Sequence, residues 1–437
     1  MTSTDLAEFS MPAVSNPEAP AWLTALRREG AERFQATGFP TSQDEEWRFT
    51  PIGALARTRF SPPSSASSCL DLDRSSLDEF FFGHAEWPTL VFINGQFAAP
   101  LSTRSSVSDG IAVLTLAEAL EQHPDLGSEH FGRHAVADTT PFAALNQAMA
   151  ESGAVVVIRE GVEVTTPIHL VYVSAPEADA TATHLRNLIV VEPGARGAIV
   201  ESFVTLNPES SYFTNAVTEI SMGRGAWLEH ARIQRESERA YHIGYTHVSQ
   251  ERDSHYRSFT LAMGAALSRH NLHTNLGGPE SEALLYGLSL VRGEQLADNH
   301  TAIHHAEPNC RSWEVYKAIL ADRSRGVFNG KVLVDPIAQK TDAKQTNRSL
   351  LLSPDARMDT KPQLEIFADD VKCTHGATVG QLDEITYFYC QSRGIPRALA
   401  QSILTRAFAA EVIDEVAIAP VREFLNELVA RRLGEGS

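Results

Sequence analysis

The sequence is poor in cysteine: its 437 residues hold four, Cys69, Cys310, Cys373 and Cys390. No two form a CxxC pair, which excludes a zinc ribbon or a thioredoxin motif. So few thiols in so long a chain do not build a disulfide framework. Positive charge is also short. Fifty-five acidic residues against 37 basic ones give a formal net charge of −18, which argues against nucleic acid and against adhesion to an anionic membrane. No apolar run approaches the roughly 20 residues of a spanning helix. The first residues, acidic and broken by prolines, lack the basic start and apolar stretch of a signal peptide. These absences predict a cytoplasmic protein with reduced thiols. The usual catalytic signatures are missing too: there is no GxxxxGK[ST], no GxGxxG after a strand, no GxSxG and no HExxH.

What is present changes texture twice. Residues 1–15 read as a disordered tail. Residues 16–150 read as an α-rich N-terminal region with a few strands, opened by Asn16-Pro17 as a helix start, with Leu23, Leu26 and Phe34 on one face and Gly38 as a stop. From 151 to 367 the helical period disappears. Short β-branched and aromatic runs recur instead, such as AVVVI, IHLVYV, AWLEHARIQ and ALLYGLSLV. Several alternate: Trp227, Ala231 and Ile233 on one face, His230, Arg232 and Gln234 on the other. A long, even series of strands without hairpin turns predicts a parallel β-helix over a sandwich or barrel, with one continuous apolar interior and no helix longer than two turns. Residues 368–437 turn helical. Asp383 caps a first helix that stops at Gly394, Pro396 opens a second, and Pro420 opens a third with an apolar stripe through Val421, Phe424, Leu425, Leu428 and Val429.

Two groups of side chains could carry chemistry. His300, His304, His305 and Cys310 lie in NHTAIHHAEPNC, where His300 and His304 share a strand face. That pattern admits a metal-storing site, or solvent-facing histidines on a ladder. Cys373 and His375 stand two apart in ADDVKCTHGATVGQLDE and project to one face of an extended segment. Thiolate and imidazole suit iron or zinc, but two ligands complete no tetrahedral site, so a partner would supply the rest. An enzyme on a β-helix is a further alternative, although nothing here clusters acids as polysaccharide cleavage requires.

Four blocks carry a resemblance: FPTSQDEEWRFTPIGAL (39–55), DNHTAIHHAEPNCRSWEVYKAIL (298–320), VFNGKVLVDPIAQKTDAKQTNRSLLLS (327–353) and KPQLEIFADDVKCTHGATVGQLDE (361–384). Together they closely resemble the SufB/SufD family of iron–sulfur cluster assembly scaffolds, and the first and last resemble its SufD branch. The resemblance implies a mainly β fold, a right-handed parallel β-helix flanked by N- and C-terminal helical domains. It implies a non-enzymatic subunit that pairs with a SufB-like paralogue and binds the SufC ATPase through its C-terminal helices. A homodimer of the isolated chain is also admitted. It places His375, and more weakly Cys373, at the SufB interface as residues for a nascent iron–sulfur cluster shared with SufB, with no cofactor expected in the chain alone. The family's complex has been associated with a reduced flavin, and no pattern here marks a flavin site. Cys390 departs from the family's aliphatic residue and is assigned no role.

Overall fold

The computed structural model describes residues 19–63, 72–84, 86–104, 109–133, 140–176 and 180–434. Residues 1–15, Asn16, Pro17 and Cys69 lie outside that set. The chain begins with α1 (Ala21–Thr37), which ends at Gly38 with φ +64°, and α2 (Gly53–Arg57). Three short strands follow, β1 (Thr89–Ile93), β2 (Gln96–Phe97) and β3 (Ile111–Thr115), then α3 (Leu116–Gln122), α4 (Pro124–His130) and α5 (Pro141–Met149). Thr115 caps α3 through a reciprocal box with Glu118, and Thr140 caps α5.

Sixteen strands fill the region from Ala154 to Gly380, with no intervening helix among the described residues. They are β4 (Ala154–Ile158), β5 (Ile168–Ser174), β6 (Thr181–Val191), β7 (Arg196–Thr205), β8 (Tyr212–Met222), β9 (Trp227–Arg235), β10 (Tyr241–Gln250), β11 (His255–Ala262), β12 (Leu267–Leu276), β13 (Glu282–Val291), β14 (Leu296–His305), β15 (Arg311–Leu320), β16 (Arg325–Val334), β17 (Asp342–Leu351), β18 (Arg357–Ile366) and β19 (Lys372–Gly380). Even strands join β3 in one sheet, and odd strands join β1 and β2 in the other. From β4 to β17, each strand pairs in parallel with the one two places on. The result is a parallel β-solenoid of about eight turns, flanked by N- and C-terminal helices.

The corners stack as regularly as the strands. Gly194, Gly225, Asp253, Glu280, Asn309 and Lys340 all adopt positive φ. Each donates its N–H to a carbonyl one turn on: Arg224, Arg252, Pro279, Pro308, Gln339 and Asp370 in that order. One conformation is repeated by four side-chain types other than glycine, so the sequence shows no crisp repeat although the backbone does.

Two expectations need correction. The ladder does not stop at 367, because β19 adds a last strand inside the block expected to be helical; the few strands expected in the N-terminal region are β1–β3, and they join the two sheets. Nor is the interior uniformly apolar. Leu228, Tyr256, Leu285, Phe328 and Val332 line it, but so does the polar set of β9, His230, Arg232 and Gln234. The apolar set of β9, Ala231 and Ile233, faces outward under the C-terminal helices with Phe259, Leu261, Leu288 and Leu290. An outer face covered by helices is free to take large aliphatics, and the lumen admits polar groups among its aliphatics where these are hydrogen-bonded.

Those helices are α6 (Glu384–Ser392), α7 (Arg397–Ile413) and α8 (Ala419–Gly434). Asp383 accepts from the Ile385 N–H to start α6, and Gly394 (φ +82°) follows its end. Val421, Leu425, Leu428 and Val429 of α8, with Ala409, Val412 and Ile413 of α7, are buried against the outer face of the odd sheet.

Candidate functional site

The described solenoid ends at β18 and β19, which have no neighbour on their outer sides in either sheet. An edge strand presents a row of unpaired N–H and C=O groups, which soluble proteins normally blunt. Here the edge is open. His375 sits mid-way along β19 and is exposed, and only Cys373 and Gly380 of that strand are even half-buried. The Lys372 N–H donates to the Thr341 carbonyl, and parallel pairing alternates. The backbone groups of Cys373, His375, Ala377 and Val379 therefore point to the free side.

The in-register columns decide what lies beneath the two predicted site residues. Cys373 follows Ala343 and Ser312, and its side chain packs against the apolar lumen. Burial lifts its thiol above the usual range, which disfavours the thiolate. His375 follows Gln345, Glu314, Leu285, Ser258 and His230. Gln345 is 1 % exposed, and its Nε2 donates to Glu314 Oε2 at 2.8 Å. Burial lifts the Glu314 carboxyl to about 7.

Polar groups continue deeper in the lumen. Glu201 accepts from Asn187 and Thr218, each at 2.8 Å, and lies 2.9 Å from His230 Nε2. Tyr256 Oη lies 2.9 Å from His230 Nδ1. His242 gives its Nδ1–H to Glu236 at 2.5 Å, and its other nitrogen meets the Arg232 guanidinium. Burial keeps the His242 imidazole's affinity for a proton below normal despite Glu236. Sequence reasoning missed this lane, and the signal was there: lumen-facing Glu201 on β7, His230, Arg232 and Gln234 on β9 and Glu236 just beyond it are all polar. They read as a solvent face because period-2 alternation does not say which face is wet.

The histidine group of β14 does not converge. His300 points outward, between Asp298 at 3.1 Å and Glu46 at 3.2 Å. His304 faces outward four residues along and pairs with Asp335 at 2.9 Å. His305 points inward to Ser312 at 2.9 Å, and Cys310 is buried beside Ser281. Four residues of strand span about 13 Å, too far for one ion. Among the described residues no group of three or more His, Cys, Asp or Glu side chains could hold a metal ion. Among the described residues, Cys373 and His375 are thus not joined by a third such side chain.

The largest exposed apolar side chains lie on the helices beyond β19. Ile385 is 77 % and Phe388 72 % exposed, Tyr389, Leu399 and Ile403 less so, and Ile337 and Phe367 are exposed outside the helices. The apolar stripe of the third helix is turned inward: Val421 and Leu428 pack internally, and Phe424 meets Phe82 edge-to-face at 5.0 Å. No described helix is long and apolar enough to cross a membrane.

Comparison with known proteins agrees with this architecture. The family model described as SUF system FeS cluster assembly, SufBD core domain, matches residues 172–408, and that of the SufBD protein N-terminal region matches 11–170. An iron–sulfur cluster assembly SufBD family protein of Synechocystis is 33% identical over 417 residues, 94% of this chain and 91% of that protein. The iron–sulfur cluster assembly protein SufD of Escherichia coli is 30% identical over 424 residues, 97% of this chain and 94% of that one. The SufD of Bacillus subtilis is 28% identical over 423 residues, 95% of each. The chain belongs to the SufBD family of iron–sulfur cluster assembly proteins.

Proposed function

We propose that this protein is a non-catalytic, SufD-like scaffold subunit of a cytoplasmic complex that assembles iron–sulfur clusters. The observation that carries the reading is the pair of open edges, β18 and β19, at one end of the solenoid, with His375 exposed on one of them. A SufB-like paralogue with a matching end continues both sheets across the junction and buries His375 and Cys373 at the boundary. The nascent cluster is cargo there. His375 brings an imidazole that adds no charge as a ligand, and the partner brings the remaining donors and sulfide. Cys373, half-buried and with its thiol lifted above the usual range by burial, has the lesser role.

The exposed side chains of α6 and α7 form the docking face for a SufC-like ATPase. An apolar cluster of this kind next to an open end marks an interaction surface. Removing residues 383–437 does not test this. That cut also takes away α8 and uncovers the outer face at Phe259, Leu261 and Leu288. The surface substitutions Ile385→Asp and Phe388→Asp do test it. They weaken co-purification of the ATPase at least tenfold, since each buried side chain contributes roughly 1.5–3 kcal/mol.

The decisive experiment is His375→Ala in the complex purified from the native cell. Partner pairing and ATPase binding stay near normal, while cluster formation falls tenfold or more. Normal cluster formation by the variant complex removes His375 from the site. A chain that co-purifies only with itself replaces the heterodimer by a homodimer on the same edges.

A further inference from the structure

Gln345 is the one in-register side chain between His375 and buried Glu314. It lies in register with Glu314 on one side and with His375 on the other. Its amide nitrogen is committed to Glu314 at 2.8 Å. Its Oε1 is buried and has no hydrogen-bond partner. A buried acceptor left unpaired is unfavourable, so the site is incomplete as it stands. The slot is also built to hold this amide. Across the lumen, a Cβ on Gly330 would lie 2.3 Å from Gln345 Nε2 and 2.7 Å from Phe328 Cζ, so the glycine leaves the space the amide occupies. His375 is the in-register neighbour on the open side, and adjacent strands lie about 4.8 Å apart.

We propose that Gln345 is the positioning residue for His375: when the imidazole takes up a metal ion or cluster, Gln345 Oε1 accepts the N–H of the ring nitrogen that faces the lumen, and the other nitrogen is turned outward as the ligand. This deepens the reading of His375 as a ligand and rests on it. A ligating histidine generally gives its second N–H to an acceptor that fixes its tautomer and orientation. Glu314 acts one step behind, because its claim on the Gln345 NH₂ is what leaves the oxygen toward His375.

The hydrogen-bond polarity supplies the test. Gln345→Met fills the slot without an acceptor. The paired exchange Glu314→Gln with Gln345→Glu restores it: the amide, moved one strand inward, donates to the carboxylate, and the carboxylate's second oxygen accepts from His375. The probe is Co²⁺ added to the complex with the partner scaffold, read by its absorption bands and by ¹⁵N shifts of histidine labelled in this chain. His375→Ala abolishes the site. Gln345→Met weakens Co²⁺ binding tenfold or more and gives His375 a mixture of tautomers, and the exchange restores both readings. Unchanged binding and tautomer in Gln345→Met, with binding still lost in His375→Ala, overturns the positioning role and leaves the ligand reading standing. Unchanged Co²⁺ binding in His375→Ala overturns the ligand reading, and the positioning role with it.

Discussion

The two ends of the solenoid are finished in opposite ways. At the N-terminal end β3 runs antiparallel to β4 and β2 antiparallel to β1, which breaks the parallel ladder in both sheets. Helix α5 then lies over the even sheet. Buried Asn146 on α5 donates to the carbonyls of Leu185 and Asn215, at 2.9 and 3.0 Å. Arg186, fully buried, reaches Glu219 at 2.6 Å and Asn146 at 3.3 Å. At the other end neither sheet has a covering strand among the described residues, and the last polar side chain of the lumen lacks one partner. A fold that can cap one end so completely leaves the other open for a use, and that contrast locates the interface more firmly than any single residue.

Equal insults at the two ends should therefore fail differently. The largest effect belongs to Arg186→Met. It strands the Glu219 carboxylate in the interior, where the Gly132 N–H still donates to it at 2.9 Å. The expected loss is about 3–5 kcal/mol of folding stability, most of it recovered by Arg186→Met with Glu219→Leu. Denaturant midpoints of the single and double variants check this. A single variant as stable as the wild type would mean the cap does not hold that end.

At the open end, Ala377→Pro removes an outward-pointing N–H and no bond of the ladder to β17. Stability changes by less than about 1 kcal/mol. Pairing with the second scaffold falls by about a hundredfold, which is roughly 2.7 kcal/mol. Sedimentation or pull-down alongside the thermal midpoint separates the two quantities. A variant that pairs normally would show that the sheets do not continue across the boundary.

Part of this contrast was legible in the sequence. Runs such as AVVVI and ALLYGLSLV have no helical reading, and the caps Asp383, Gly38 and Gly394 act as their residue types imply. The Cys373–His375 spacing does put both side chains on the lumen face of one strand. Three things were hidden. That β19 exists at all was masked by KCTHGATVG, whose small and polar residues suit an edge awaiting a partner better than a covered strand. Which face of β9 was inside could not be read, because Ala231 and Ile233 face helices almost two hundred residues away in sequence. The importance of Gln345 comes only from register, with partners about 30 residues away on each side.

The smallest expected effect sharpens the comparison within the lumen itself, through Glu314→Gln. Burial raises this carboxyl from 4.5 to about 7. Between those values the folded chain holds a proton that the unfolded chain has released. Its contribution to stability is therefore full below about 4.5 and is lost as pH rises through about 7. His305, near the same end, behaves in the opposite sense. Burial lowers it from 6.5 to about 3, so its contribution is full above about 6.5 and is lost as pH falls toward 3. Glu314→Gln removes only the alkaline limb. The variant should match the wild type at pH 5 and exceed it by on the order of 1–3 kcal/mol at pH 8. Glu236, deeper in the lumen, provides the control. Burial opposes its charge, but His242, Thr214 and Gln234 outweigh burial and hold the carboxyl below its usual value. Glu236→Gln should accordingly lose stability at pH 8 and lose less as pH falls below about 4.5. Chemical denaturation of both variants at pH 5 and 8 reads the difference. If Glu314→Gln gains nothing at pH 8, water reaches Glu314, and the open end is looser beneath His375 than its packing indicates.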